Sequence, residues 1–236
     1  MSITLIFATG RVGTAFLAQA YSGKTFEKNF TYIDDSFFIT HESFSTRSLN
    51  IPYIKKHGES SAEGVEHSFS FLNSKLSLYK NKNLFITDHR VGRWLCYGAL
   101  NIDNFGIIFI KRNKEDLINS FLRRWKRVKK NSPEIYKRYI SNNWSKNYFH
   151  ISDCECINNV SISDWKIYSD YQKLAWYWKE TNSRWEVLKE RNPNYIEVDF
   201  EDIKNHNLNN ISNFLNLKPD CSLLNKLVNT DGKKYE

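Results

Sequence analysis

Two short stretches carry arginines and hydroxyls at spacings that suit the binding of phosphate-like anions. The first, Gly10-Arg11-Val12-Gly13-Thr14-Ala15, follows the apolar residues 3–7 and leads straight into the next helical pattern. A plain strand-to-helix connection needs one glycine. Two around an arginine predict a loop whose backbone a ligand approaches closely. The N–H groups of that turn and the positive end of the following helix would face an anion, and Arg11 and Thr14 add side-chain donors. The second stretch begins with Arg112, directly after the apolar run IIFI and Lys111, and reaches Ser120 eight residues later. An arginine at a strand end offers a charge-assisted fork for a second phosphate, and a hydroxyl on the next helix can complete it. Arg123, Arg124 and Arg127 are expected on the same helix face as Ser120, whereas Lys126, Lys129 and Lys130 read as a solvated face.

Both stretches need rigid elements to hold them. Residues 3–7, 36–40, 84–87, 107–110 and 195–198 are short β-branched and aromatic runs without strict alternation, as strands covered on both faces should be. Helical patterns lie between them. Leu117, Ile118, Phe121, Leu122, Trp125 and Val128 form one apolar stripe, and Asn113 is a plausible helix start. Tyr171, Leu174, Ala175, Trp178, Trp185 and Leu188 form a second, Asp199 with Asp202 opens a third helix, and Ile211, Phe214 and Leu215 belong to a fourth. The alternation predicts an α/β fold with a central, mainly parallel sheet and helices on both faces. No repeat or linker interrupts residues 1–236, so one domain is expected. In such a sheet ligands bind beyond the carboxyl ends of the strands, where both arginine stretches fall.

Composition narrows the partners. Of the 236 residues 34 are Lys or Arg and 26 are Asp or Glu, and the formal charge of +8 favours an anionic ligand, nucleic acid or an acidic surface. Cys96, Cys154, Cys156 and Cys221 have neither paired CxxC spacing nor a zinc-finger histidine pair, so reduced thiols and a cytoplasmic location are expected. The start imitates a signal peptide at Ala18-Gln19-Ala20, but Arg11 interrupts its apolar region. No transmembrane segment is expected.

The Gly10–Ala15 loop is not a Walker A sequence, since no GK[ST] follows, and it is not the GxGxxG of a dinucleotide fold. GRVGT instead resembles the 5′-phosphosulfate loop of the P-loop-like sulfotransferases that use 3′-phosphoadenylyl sulfate (PAPS). RNKEDLINS resembles their 3′-phosphate motif, and YIEVDFEDIKNHNLNNISNFLNL looks like their closing strand, turn and helix. The resemblance covers about residues 3–217 and implies PAPS as co-substrate, released as 3′,5′-ADP. It implies that Arg11, Gly13 and Thr14 hold the 5′-phosphosulfate, with Gly10, Val12 and Ala15 completing the loop, and that Arg112 and Ser120 hold the 3′-phosphate. One position departs from the pattern: Ala15 stands where the loop usually has a second threonine.

Sulfuryl transfer to a hydroxyl or amine needs an in-line donor, a charge to meet the leaving phosphate and a base for the acceptor proton. Arg11 suits the second task. Two residues compete for the third. His89 follows LFITD, 23 residues before Arg112, in a place similar to the catalytic histidine of the cytosolic branch. Glu42, after the FFIT run and beside His41, is similar to the carboxylate of other branches, and its place after the first βα unit puts it slightly ahead. Residues 43–80 and 131–170 are expected to wall the acceptor pocket. Trp144, Trp165, Trp176, Trp178 and Trp185 could stack on a sugar or sterol or serve as core, with core expected for Trp178 and Trp185 on their stripe. A carbohydrate or another small molecule is the expected acceptor, with no nucleic acid and no metal ion. Two other classes remain open: a P-loop-type nucleotide kinase or hydrolase, for which Asp88 is the one candidate metal ligand, and a basic nucleic-acid-binding module using residues 123–130.

Overall fold

The computed structural model describes residues 2–24, 30–33, 36–41, 49–79, 82–134 and 149–220. Its centre is a six-stranded sheet in the order β2-β3-β4-β1-β5-β6. The strands are β1 (Ile3–Ala8), β2 (Phe30–Ile33), β3 (Phe37–His41), β4 (Asn83–Ile86), β5 (Phe105–Lys111) and β6 (Tyr195–Asp199). Five strands are parallel, and β2 alone is antiparallel, pairing with β3 at the edge. The described helices are α1 (Thr14–Ser22), α2 (Ile51–His57), α3 (Ala62–Leu78), α4 (His89–Ala99), α5 (Lys114–Asn131), α6 (Ile162–Ile167), α7 (Asp170–Lys189), α8 (Phe200–Lys204) and α9 (Asn209–Leu215). Among the described residues no helix is long and apolar enough to cross a membrane.

Both faces of β1, β4 and β5 are buried, and the strand period of two divides their residues between two cores. Ile3, Leu5 and Phe7 of β1 and Ile107 and Phe109 of β5 face Trp94, Leu117, Phe121 and Trp185 of α4, α5 and α7. Ile6, Ala8, Ile108 and Ile110 face the opposite core, with Leu17 of α1, Ile203 of α8 and Ile211 of α9. Trp185 stacks on Phe109 with ring centroids 4.6 Å apart and 13° between planes. The stripe expected on residues 117–125 is the buried face of α5, and its cap is as expected: the Asn113 side chain accepts from the Glu115 N–H at 2.9 Å.

The chain order places the site. From β1 it runs out to β2 at one edge and turns back to β3. From β4 it crosses over β1 to β5, and from β5 it continues outward to β6. Consequently α1, which follows β1, and α5, which follows β5, lie on opposite faces of the sheet. The carboxyl ends of the adjacent β1 and β5 therefore open into a crevice between diverging helices, where open α/β sheets bind ligands.

Helix α4 packs against β1 at very short range. A Cβ on Gly92 would lie 2.3 Å from the Ile6 carbonyl oxygen, so only glycine fits. Gly92→Ala should force α4 off the sheet and destabilise the fold by ~1–3 kcal/mol, the usual range for overpacking. Denaturant titration checks this: the midpoint should fall at an unchanged m value.

Candidate functional site

The loop after β1 has a left-handed backbone at three of four consecutive positions, Gly10 (φ 89°), Arg11 (φ 56°) and Gly13 (φ 74°). Arg11 is the costly one, because its Cβ makes that region unfavourable. Neighbouring side chains hold the turn. The Tyr177 hydroxyl donates to the Thr9 carbonyl, and Arg93 in turn donates to the Tyr177 hydroxyl. The Arg112 guanidinium donates to the Arg11 carbonyl. In a planar trans peptide the C=O and the following N–H point oppositely, so drawing back these two carbonyls aims the Gly10 and Val12 N–H groups the other way. The N–H groups of Gly10, Val12 and Gly13 find no hydrogen-bond acceptor among the described residues, and Gly13 caps α1 without a side-chain cap bond. Donors in such a turn, at the positive end of a helix, form a cradle for an anion.

The second arginine set closes on the first. The Arg11 Nε–H donates to Ser120 Oγ at 3.4 Å, so the side chain expected at the 5′ loop reaches the helix expected at the 3′ site. The left-handed backbone at Arg11 turns its side chain across the crevice, which strand-and-helix spacing does not reveal. Arg112 lies over the Phe200 ring at 4.2 Å, and its Nε has no hydrogen-bond partner among the described residues. Burial, reinforced by Arg11 and Arg123 and offset by Asp116 and Glu201, lowers the Arg112 pKa to about 10. Crowded guanidinium groups with surplus positive charge call for an anion. Ser120 is buried, whereas Arg123 and Arg124 of the same expected face are exposed.

Phe200 and Ile203 of α8 pack beside the loop, since a Cβ on Gly13 would lie 3.2 Å from Ile203 and 3.6 Å from Phe200. Thr14 is buried at the first turn of α1, and Ala15 beside it is exposed. Asp88, at the end of β4, is buried.

His89 is placed at the cradle. Its ring packs on Gly10 so closely that a Cβ there would lie 2.7 Å from His89 Nε2. It is buried, 9% exposed, and opens α4, so it is not a surface histidine. Glu42 lies outside the described residues. His41 ends β3, and only its backbone is described.

Tryptophans divide by depth. Trp185 is fully buried, and Trp176 is buried with its indole N–H donated to the Asn158 carbonyl at 2.6 Å. Trp178, expected in the core, is half-buried and packs against it, and its indole N–H is donated to the Arg112 carbonyl at 2.9 Å. Trp165 is half-buried, and Trp144 lies outside the described residues. Of the expected acceptor walls, residues 43–48, 80 and 135–148 also lie outside them.

Sequence reading missed the polar support beneath the site. On α7 the buried face includes Tyr177, Glu180, Thr181 and Arg184 among the apolar residues. Arg184 pairs with Glu59 and Glu180, each at 2.8 Å, and half-buried Lys55 pairs with Asp153 at 3.1 Å; Glu59, Asp153, Glu180 and Arg184 are buried. Glu180 also accepts from the Ile157 and Asn158 N–H groups at 3.0 and 2.8 Å, which pins residues 153–158 to α7. The short spacing Cys154-Glu155-Cys156 was the only signal there, and it pointed to thiols rather than to this ion cluster. Burial pushes the Glu59 carboxyl up to about 7 against the pull of Arg184. One of its oxygens, Oε2, has no hydrogen-bond partner among the described residues, which is why burial wins. A carboxyl raised above its unfolded value stabilises the fold at pH values below the unfolded one, and that stability is lost as pH rises through the folded one. Glu59→Gln should therefore look more favourable relative to the parent at pH 8 than at pH 5, as measured by urea unfolding at both.

Compared with protein-family profiles, curated proteins and solved structures, the chain matches none of them.

Proposed function

We propose that the protein is a sulfotransferase that moves the sulfuryl group of PAPS to an acceptor hydroxyl or amine. The observation that carries the reading is the meeting of two anion-binding sets in one crevice. The Gly10–Thr14 cradle ends β1, and Arg112 and Ser120 lie at and just beyond the carboxyl end of β5. The sequence resemblance assigns the 5′-phosphosulfate to the first set and the 3′-phosphate to the second. The Arg11–Ser120 contact joins them.

In this reading the cradle N–H groups and Arg11 meet the charge that grows on the leaving phosphate. His89 takes the acceptor proton as the acceptor oxygen or nitrogen bonds to sulfur. The bond from sulfur to the phosphate oxygen breaks, and 3′,5′-ADP leaves with the electron pair. Arginines and backbone N–H groups carry the charge work, so EDTA should leave the rate unchanged. Loss of activity in EDTA that Mg²⁺ restores would favour the kinase reading.

Isothermal titration tests the donor. 3′,5′-ADP should bind at least ~10-fold more tightly than 5′-AMP, since charge-assisted hydrogen bonds contribute ~1.5–3 kcal/mol. Equal affinities would sink the proposal. Ala15→Thr would restore the second hydroxyl at an exposed first-turn position. It should raise affinity for 3′,5′-ADP by ~2–10-fold, the worth of one ordinary hydrogen bond, and titration of that variant with the same nucleotide checks it.

A further inference from the structure

One concavity has no role in the reading above. A groove of about 670 Å³ lies between the start of α5 and helix α7, with residues 157–160 along its third side. Ligand sites commonly measure ~300–1,000 Å³. The buried Trp176 forms part of its floor. Half-buried Trp178 walls it, and because the Trp178 indole N–H is donated to the Arg112 carbonyl, the groove adjoins the cationic crevice. Tyr168 adds a second aromatic face.

The polar lining has a definite character. Asn159 and Gln172 bring amides, and Lys114 and Lys179 bring ammonium groups. No Asp or Glu lines the groove, and neither lysine forms an ion pair among the described residues. Glu115, next to Lys114, is engaged by the Tyr171 hydroxyl at 2.5 Å.

Aromatic faces stack on the apolar faces of sugar rings, and side-chain amides pair with ring hydroxyls. Lysines with no competing carboxylate add complementarity to acid groups. We propose that this groove binds a segment of an acidic oligosaccharide bearing carboxylate or sulfate groups. As the seat of the acceptor it rests on the sulfotransferase reading. As a binding site it does not, so it is measured without donor.

The experiment titrates the full chain with a hyaluronan octasaccharide, which carries one carboxylate per disaccharide, and with neutral maltooctaose, both at 0.15 M salt. Tryptophan fluorescence and calorimetry read the binding. Hyaluronan should bind and quench, and maltooctaose should bind at least ~10-fold more weakly, the scale of a lost charge contact. Lys114→Glu with Lys179→Glu should weaken hyaluronan by a similar ~10-fold or more, whereas Lys126→Glu with Lys130→Glu, on the solvated stretch of α5, should change it by less than ~2-fold. Circular dichroism confirms that both double variants fold. Three results would overturn the proposal: no hyaluronan binding, equal losses in both double variants, or displacement of hyaluronan by 3′,5′-ADP, which would give the groove to the nucleotide. Failure here with intact 3′,5′-ADP selectivity leaves the donor reading standing. Failure of that selectivity with intact hyaluronan binding does the reverse.

Discussion

His89→Gln is expected to lower turnover by the ~10²–10⁴-fold typical of a lost general base while leaving 3′,5′-ADP affinity unchanged. The motive is placement: the imidazole packs on Gly10, inside the loop that would hold the sulfuryl end of the donor. Glutamine keeps a polar side chain of similar length over that glycine, so the cradle should keep its shape. Single-turnover hydrolysis of PAPS serves as the assay where no acceptor is in hand. Glu42→Gln is the companion variant. If it removes the rate and His89→Gln does not, the proton goes to Glu42 and the assignment made here is wrong. If both variants keep full rate, neither residue is the base.

The second large effect concerns Arg112. Arg112→Met is expected to erase the preference for 3′,5′-ADP over 5′-AMP, a loss of ~10- to 100-fold for one charge-assisted contact. The same variant makes an opposite prediction for stability. The pKa of Arg112 is lowered to about 10 chiefly by burial and next by Arg11, so its protein surroundings disfavour its charge. A depressed basic group contributes stability that is present above its unfolded value and lost as pH falls through the folded one. At neutral pH that stability is absent, and Arg112 weighs against the fold. Arg112→Met should thus be no less stable than the parent without nucleotide, despite losing the bond to the Arg11 carbonyl and the stack on Phe200. With 3′,5′-ADP at 100 times its dissociation constant the parent should gain ~2.7 kcal/mol, and the variant should gain little. Thermal melts with and without nucleotide separate the two terms. A variant that is unstable alone would make Arg112 a structural residue, and one that keeps the nucleotide-induced gain would remove it from the donor site.

Much of the frame was legible in the residues because local physics wrote it. Runs of branched and aromatic residues such as IIFI and YIEV favour strands, and β5 and β6 lie where those runs stand, with β5 buried on both faces and β6 partly exposed at the sheet edge. Asn113 before the 117–125 stripe caps α5 because its side chain satisfies first-turn N–H groups. Gly10 and Gly13 announced a backbone that few other residues tolerate, and their φ angles are positive. Helices α2, α3 and α4 leave no such local mark in the residues. The short apolar stretches of α3 are diluted by Ser, Glu and Asn, and its contact with Gly98 of α4 depends on a neighbour distant in sequence. Strand β2 escaped for the same reason, since FTYI has a partner only through its antiparallel register with β3.

By itself, then, the sequence determined the chemistry on offer: two arginine-and-hydroxyl sets at strand ends, a glycine loop, and an α/β alternation to carry them. Those are properties of residue type and near spacing, acting over one turn or one strand. Only the tertiary structure decided which residues meet. It seated Arg11 on Ser120, drew the Thr9 and Arg11 carbonyls back onto Tyr177 and Arg112, and laid His89 over Gly10. It also gathered Lys55, Glu59, Asp153, Glu180 and Arg184 into one ion cluster, half-buried at Lys55 and buried at the other four. The reason is the crossover from β4 to β5, which places strands distant in the chain side by side and sends their helices to opposite faces. Contacts made across that crossover depend on the path of the backbone through space, and no local pattern of residues records it.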